Sequence, residues 1–353
     1  VIKHWVVLLF KNSKNIYAKW YKNVQYKQNV PKIFGTFFLT LKVEIFYKMY
    51  LDAGYNNKDI AENILRYNLF GIDIDDRACQ LSILAVILKA REYDKNIFNN
   101  NVVRNLNIIG MQESKDIKNL IDSNINDDYI KETAYYLLET FKNGKEIGSI
   151  TNVLKYDYEE LQNCINQMDN IFAIELRTVL EPLIRQALLL TKKYNVVVTN
   201  PPYMGIRLMG NNLINYVEKN YEISKYDLFS AMLYKWSNTQ MCENYCAMIT
   251  PMAWAFLDSY SNLRKNIIEN NNFSSFLHLG MGTFGADLGM VSFVIDNNEN
   301  NRDTIFLNLT EFKDSDLKAA AFNDTDLRTL KNIKDFKKFP GYQFGYWISN
   351  EVF

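Results

Sequence analysis

The run Tyr194-Asn195-Val196-Val197-Val198-Thr199 stops on two consecutive prolines, in Asn200-Pro201-Pro202-Tyr203. A continuous apolar stretch of this length, rich in β-branched residues, suits a central strand buried on both faces. Two prolines cannot donate to a ladder, so the strand ends sharply there. In open α/β sheets the carboxyl end of such a strand is where ligands bind. Any fold for this chain must therefore place a stiff, polar loop at the edge of a parallel sheet.

A second strand with the same logic precedes it. Asn68-Leu69-Phe70-Gly71-Ile72-Asp73-Ile74-Asp75 reads as a buried strand leaving the sheet on acidic residues. Asp75 is placed to cap the next helix, whose apolar positions Leu81, Leu84, Ile87 and Leu88 fit a 3.6-residue period. The strand–acid–helix unit belongs to a doubly wound α/β fold. Upstream, Ile45, Phe46, Met49 and Tyr50 predict a helix from Glu44 to a stop at Gly54, and Ile60, Ile64 and Leu65 a second, shorter one. Residues 1–43 carry no clear period and form an atypical segment.

Residues 115–193 are charged and helical in pattern, which predicts an insertion packed beside the sheet, with helices over Tyr135 to Phe141 and Leu180 to Leu190. Strands are expected at Tyr245 to Thr250, Phe276 to Leu279 and Val291 to Ile295, the last two bracketing Gly280-Met281-Gly282-Thr283-Phe284-Gly285. The catalytic unit is thus expected over 44–297. Residues 298–353, more polar, are expected to open a further region.

Composition narrows the class. Forty basic residues balance forty acidic ones, so a surface that holds nucleic acid must be a local one. Trp5 to Phe10 is too short to span a bilayer, and no small-residue cleavage site follows it. Four scattered cysteines point to a reducing compartment, the cytoplasm, rather than a disulfide framework. Cys242 and Cys246 lack further ligands nearby and read as buried thiols, so no metal is expected. The only histidines, His4 and His278, neighbour no triad.

The loop has a chemistry that needs neither. The N6 lone pair of adenine is delocalised and weakly nucleophilic. Two acceptors aimed at its N–H bonds, the Asn200 side-chain oxygen and the Pro201 carbonyl, disperse the positive charge that grows during transfer. Tyr203 would lie against the face of the base, and Pro202 stiffens the turn. A carboxylate at a strand end, Asp73, can accept both ribose hydroxyls of an adenosyl group.

These residues together resemble a known family. The Asn-Pro-Pro-Tyr loop, the Gly-Ile-Asp-Ile-Asp strand, Lys225-Tyr226-Asp227-Leu228-Phe229, and Ile249-Thr250-Pro251 with Trp254 follow the order of amino-methyltransferase motifs. The sequence is similar to the adenine-specific DNA methyltransferases of BREX phage-defence systems, related to type IIG restriction-modification enzymes. The likeness runs from about Glu44 to Phe353 and includes Pro340-Gly341 and Tyr346-Trp347.

The resemblance implies a Rossmann-like fold with a mixed, mostly parallel sheet. It also implies S-adenosyl-L-methionine as cofactor, bound through Gly71 and Asp73, with Asn200, Pro201, Pro202 and Tyr203 catalytic. Double-stranded DNA is the implied partner, with other defence proteins as further candidates and no membrane.

Two departures stand out. Where the family carries an Asp-Pro-Ala-Cys-Gly-Ser-Gly type loop, this sequence reads Lys32-Ile33-Phe34-Gly35-Thr36-Phe37-Phe38. Family members are also far longer, with a carboxy-terminal target-recognition region, of which 298–353 is read as the start. A truncated or frame-disrupted product accommodates both. The alternative reading is then an inactive fragment that keeps the fold and acts at most as a DNA- or partner-binding module. A third is methylation of a protein glutamine or an RNA base through the same loop.

Overall fold

The computed structural model describes residues 7–10, 34–281, 288–298, 303–312 and 315–349. One nine-stranded sheet organises them. Its strands are β1 (Val7–Phe10), β2 (Leu69–Asp73), β3 (Asn107–Gly110), β4 (Tyr194–Thr199), β5 (Cys242–Pro251), β6 (Asn272–Gly280), β7 (Met290–Asp296), β8 (Asp303–Asn308) and β9 (Arg328–Asn332). They lie in the order β3-β2-β1-β4-β5-β7-β6-β8-β9. Strands β2, β3, β4, β5, β6 and β8 run one way, and β1, β7 and β9 run against them. The fold is α/β with a mixed sheet, as expected, although only three of its eight neighbouring strand pairs are parallel, because β1, β7 and β9 are interleaved among or beside the others.

Helices cover both faces, and β4 shows why its central run Val196-Val197-Val198 is apolar. Val196 and Val198 join the cluster with Val43, Phe46, Ile64 and Val86, while Val197 points into the other cluster with Leu183, Ala187 and Trp236. Strand residues alternate between faces, so a strand covered on both sides has no polar positions to spare. On the first face lie α1 (Phe34–Asp52), α2 (Asn57–Asn63) and α3 (Asp76–Arg91). Helix α1 begins well before Glu44, so Phe34 to Phe38 are helical. Gly54 follows it at a positive φ of 82°, a conformation that suits glycine.

On the second face, the expected insertion supplies α4 (Lys118–Asn124), α5 (Asp128–Thr140), α6 (Tyr158–Gln167) and α7 (Ile171–Thr191). Then follow α8 (Asn211–Asn220), α9 (Leu228–Ser237) and α10 (Ser261–Asn270), whereas α11 (Ser315–Asn323) packs on the first face against Leu277 and Leu307. The residues after Asp296 add β8 and β9 to the same sheet, and Ile333, Phe336, Phe344 and Tyr346 enter the main core.

One sequence expectation is corrected. Leu81, Leu84 and Leu88 of α3 face outward, exposed by 46%, 50% and 49%. The buried positions are Ala78, Cys79, Ser82, Val86, Ile87 and Ala90. Small residues let α3 approach its neighbours closely, and that packing outweighs the larger leucines for the inward face. His4, Lys32, Ile33 and the glycine-rich residues 282–285 fall outside the described residues.

Candidate active site

The carboxyl ends of β2, β3, β4 and β5 share one edge of the sheet, and the sequence-singled residues gather there. Asp73 closes β2 and Asn200 follows β4 directly. One strand separates them, so their backbones sit roughly 10 Å apart at about 4.8 Å per strand. That intervening strand is β1, and it runs backwards. Val7 pairs with Ile72 and Thr199 at the site edge, whereas Phe10 pairs with Leu69 and Val196 at the far edge. The chain therefore leaves β1 on the side away from Asp73 and Asn200.

Local chemistry separates the two acids after β2. Asp75 caps α3, its carboxylate accepting from the N–H groups of Arg77 at 2.7 Å and Ala78 at 3.3 Å. Asp73, the last residue of β2 and only 2% exposed, accepts from the Asp75 N–H at 2.9 Å. Gly71 sits inside the ladder, between Leu8 and Ile108, and a Cβ there would rest in ordinary contact with Ile108.

The insertion reaches this edge through a close approach. A Cβ on Gly144 would meet the Gln112 carbonyl at 2.5 Å, and one on Gly148, at a φ of +63°, would meet Ile74 at 2.9 Å. Buried Gln186 of α7 accepts from the Gln112 N–H and donates to the Gln112 carbonyl at 3.2 Å. The segment leaving β3 is therefore held on both its backbone polar groups by one side chain. The Gln112 side chain in turn donates to Asp76 at 2.7 Å, and Lys145 pairs with the same carboxylate at 2.7 Å.

The loop after β4 is pinned equally firmly. The Tyr203 hydroxyl donates to Asn200 Oδ1 at 2.6 Å and lies 3.4 Å from the Ile249 carbonyl of β5. Burial pushes the Tyr203 hydroxyl pKa upward, so it remains a donor. Asp227, which caps α9, takes the Met204 N–H at 3.0 Å and the Phe229 N–H at 3.1 Å on one carboxylate oxygen. The Leu228 N–H returns a bond to the Met204 carbonyl at 3.0 Å, and Ile206 N–H one to Tyr226 at 3.0 Å. Burial raises the Asp227 pKa to about 6, against the lowering pull of its backbone N–H donors.

The motif containing Asp227 was visible in the sequence, but its task was not. The signal that could have found it is an acid directly before an apolar helical run, the usual cap pattern. Behind the loop, Trp254 is fully buried, donates to Thr250 Oγ1 at 2.9 Å, and packs among Phe273, Phe293 and Phe344. Cys242 and Cys246 are buried free thiols, and Cys246 is held well above its ordinary pKa, by burial first and then by Cys242.

With this geometry in view, residues 67–284 match the Eco57I restriction-modification methylase family. The chain belongs to that family. It is 33% identical over 348 residues to the adenine-specific methyltransferase BrxX of Escherichia coli O9:H4 (strain HS), covering 88% of this chain and 28% of that protein. It is 28% identical over 340 residues to the adenine-specific methyltransferase PglX of Lacticaseibacillus casei (strain Zhang), covering 87% of this chain and 27% of that one. The chain thus spans somewhat over a quarter of the length of these curated relatives. Among solved structures, an ATP-dependent type ISP restriction-modification enzyme, LlaBIII bound to DNA, aligns with 81% of this chain and 18% of its own, at 14% identity and a TM-score of 0.46. No helix among the described residues of this Eco57I-family chain is long and apolar enough to cross a membrane.

Proposed function

We propose that this chain carries the catalytic centre of an adenine-N6 DNA methyltransferase working in phage defence or restriction-modification. The observation that carries the reading is the rigid Asn200-Pro201-Pro202-Tyr203 loop at the carboxyl end of β4, clamped by Asp227 and backed by Ile249. Such a loop can take an adenine extracted from its stack. The Asn200 Oδ1 and the Pro201 carbonyl accept the two N6 hydrogens, and the bonds strengthen as the nitrogen becomes cationic. Charge-assisted bonds of this kind contribute about 1.5–3 kcal/mol each. Because they tighten in the transition state, they raise the rate rather than the affinity.

The Tyr203 hydroxyl donates to the same Asn200 oxygen, which keeps the acceptor aimed. The arriving amine competes for that oxygen, and the Tyr203 hydroxyl has the Ile249 carbonyl as a second acceptor. The Tyr203 ring then supports the base, an interaction of about 1–3 kcal/mol that offsets part of the unstacking cost.

S-adenosyl-L-methionine, when bound, supplies an already activated methyl group, so no side-chain nucleophile is needed. The described residues fit its adenosyl end, where buried Asp73 offers a carboxylate to the ribose hydroxyls beside Gly71. They offer no glycine turn for its methionine end, because β1 leaves the sheet on the opposite edge.

That same reversal favours a second reading, a family fold retained for binding DNA or a partner without methyl transfer. Labelled methyl transfer to duplex DNA by the wild-type chain separates the two. Under the first reading, Asn200→Ala slows transfer by about tenfold to a hundredfold with little change in DNA affinity. Transfer untouched by that substitution sinks the mechanism. Calorimetry showing no uptake of the methyl donor establishes the second reading.

A further inference from the structure

The chain beyond Tyr203 is ordered in a way the chemistry of transfer does not require. Residues Ile206–Leu208 form one 3-10 turn. The Ile206 N–H is tied to Tyr226, the Leu208 N–H donates to Gly205 at 2.8 Å, and the Met209 N–H donates to Ile206 at 3.2 Å. Met209 then buries its side chain. The next helix, α8, is seated on the insertion, with the Asn212 amide 2.9 Å from Glu146, and a Cβ on Gly210 would collide with that carboxylate. The turn is therefore anchored at both ends, and the two residues at its tip are exposed. Leu208 is 76% exposed. Arg207 is exposed too, with no hydrogen bond or ion pair among the described residues.

A large apolar side chain held rigidly in water is a contact waiting for a surface, since burial of a leucine is strongly favourable. An unpaired arginine beside it selects a phosphate rather than an apolar protein face. The tip is five residues from Tyr203, so it lies within about 19 Å of the base-holding loop at 3.8 Å per residue. Proteins that open duplexes place apolar wedges between base steps with basic side chains on the flanking backbone.

We infer that the Arg207–Leu208 turn is the element that opens the duplex. Leu208 packs into the stack space vacated by the extruded adenine, and Arg207 pairs with a phosphate flanking it. The inference rests on the reading of Asn200 to Tyr203 as a base-holding loop.

The test uses the full chain with a labelled duplex oligonucleotide and its single strand. Affinities are measured without methyl donor over a range of salt, and transfer is measured separately with it. Both residues are exposed, so Leu208→Ala and Arg207→Gln should melt as the wild type does.

Leu208→Ala is expected to lower duplex affinity relative to single-strand affinity by about tenfold, because only the duplex leaves a gap to fill. Arg207→Gln should weaken duplex binding and reduce the slope of log affinity against log salt by about one. Equal losses on both strands, an unchanged salt slope, or no duplex binding by the wild type overturns the inference. A chain that binds duplex with these dependences but transfers no methyl group sinks the reaction and leaves the contact standing. One whose transfer and binding ignore both substitutions sinks the contact alone.

Discussion

At the scale of single residues, Asp227 decides how well the loop is held. Both of its contacts to the loop and helix end on one oxygen. Asp227→Asn can keep them, whereas Asp227→Ala orphans two backbone N–H groups at about 1–3 kcal/mol each. Urea unfolding should therefore show the alanine variant clearly destabilised and the asparagine variant close to wild type. The pH behaviour follows from the same burial. The folded carboxyl titrates near 6, above the roughly 3.9 of an unfolded aspartate. Between those values the folded state holds a proton that the unfolded chain has lost, so this group's contribution falls as pH rises through the window. Unfolding midpoints measured between about pH 4 and pH 6 should show that slope in the wild type and its loss in Asp227→Asn. The strand-end positions of Asn200 and Asp73 and the cap at Asp75 were legible in the sequence, because each announces itself by its neighbours along the chain. The Asp227 bond to Met204 joins residues far apart in sequence, and no local pattern encodes it.

Among elements, the joint between the insertion and the sheet is the most exacting. One buried glutamine, Gln186 of α7, satisfies both backbone groups of Gln112 at the exit of β3. Gln186→Met preserves volume and leaves a buried donor and acceptor unpaired, and is expected to lower stability by about 2–5 kcal/mol. Thermal unfolding of the variant checks this, and a melting curve superimposable on the wild type would show that water takes over both bonds. The helical character of 115–193 was legible because its period is strong. Where the insertion docks was not, since a glycine at 144 chosen for closeness to a carbonyl looks like any loop glycine. The same limit explains α3, whose exposed Leu81, Leu84 and Leu88 mimic a core stripe while alanines, Cys79 and Ser82 take the inside. Pattern reports hydrophobicity, whereas burial here was settled by how near two backbones must come.

For the molecule as a whole, the reversed β1 and the buried Asp73 make opposing statements about the methyl donor. Thermal shift separates them, because a ligand that binds only the folded state raises its stability by about 2.7 kcal/mol at a hundred times Kd. S-adenosyl-L-methionine is expected to raise the wild-type melting temperature, and Asp73→Asn to remove most of that rise. An unshifted wild type at millimolar donor would assign the chain to the binding-only reading. Trp254 and Phe276, which support the strand ends beside the loop, share their core with Phe336, Phe344 and Tyr346. The buried Arg264 also donates to the Trp254, Leu257 and Gly341 carbonyls, at 2.7, 2.6 and 2.8 Å. Domains emerge from the ribosome amino end first, at about 5–20 residues per second. For the roughly 7–28 s between synthesis of the Asn-Pro-Pro-Tyr loop and of Phe344 at that rate, the nascent chain holds Asn200 to Tyr203 and only part of the core that lies beneath them in the folded protein. Exposed aromatic surface during that interval makes this the stage at which a chaperone has the most to shield.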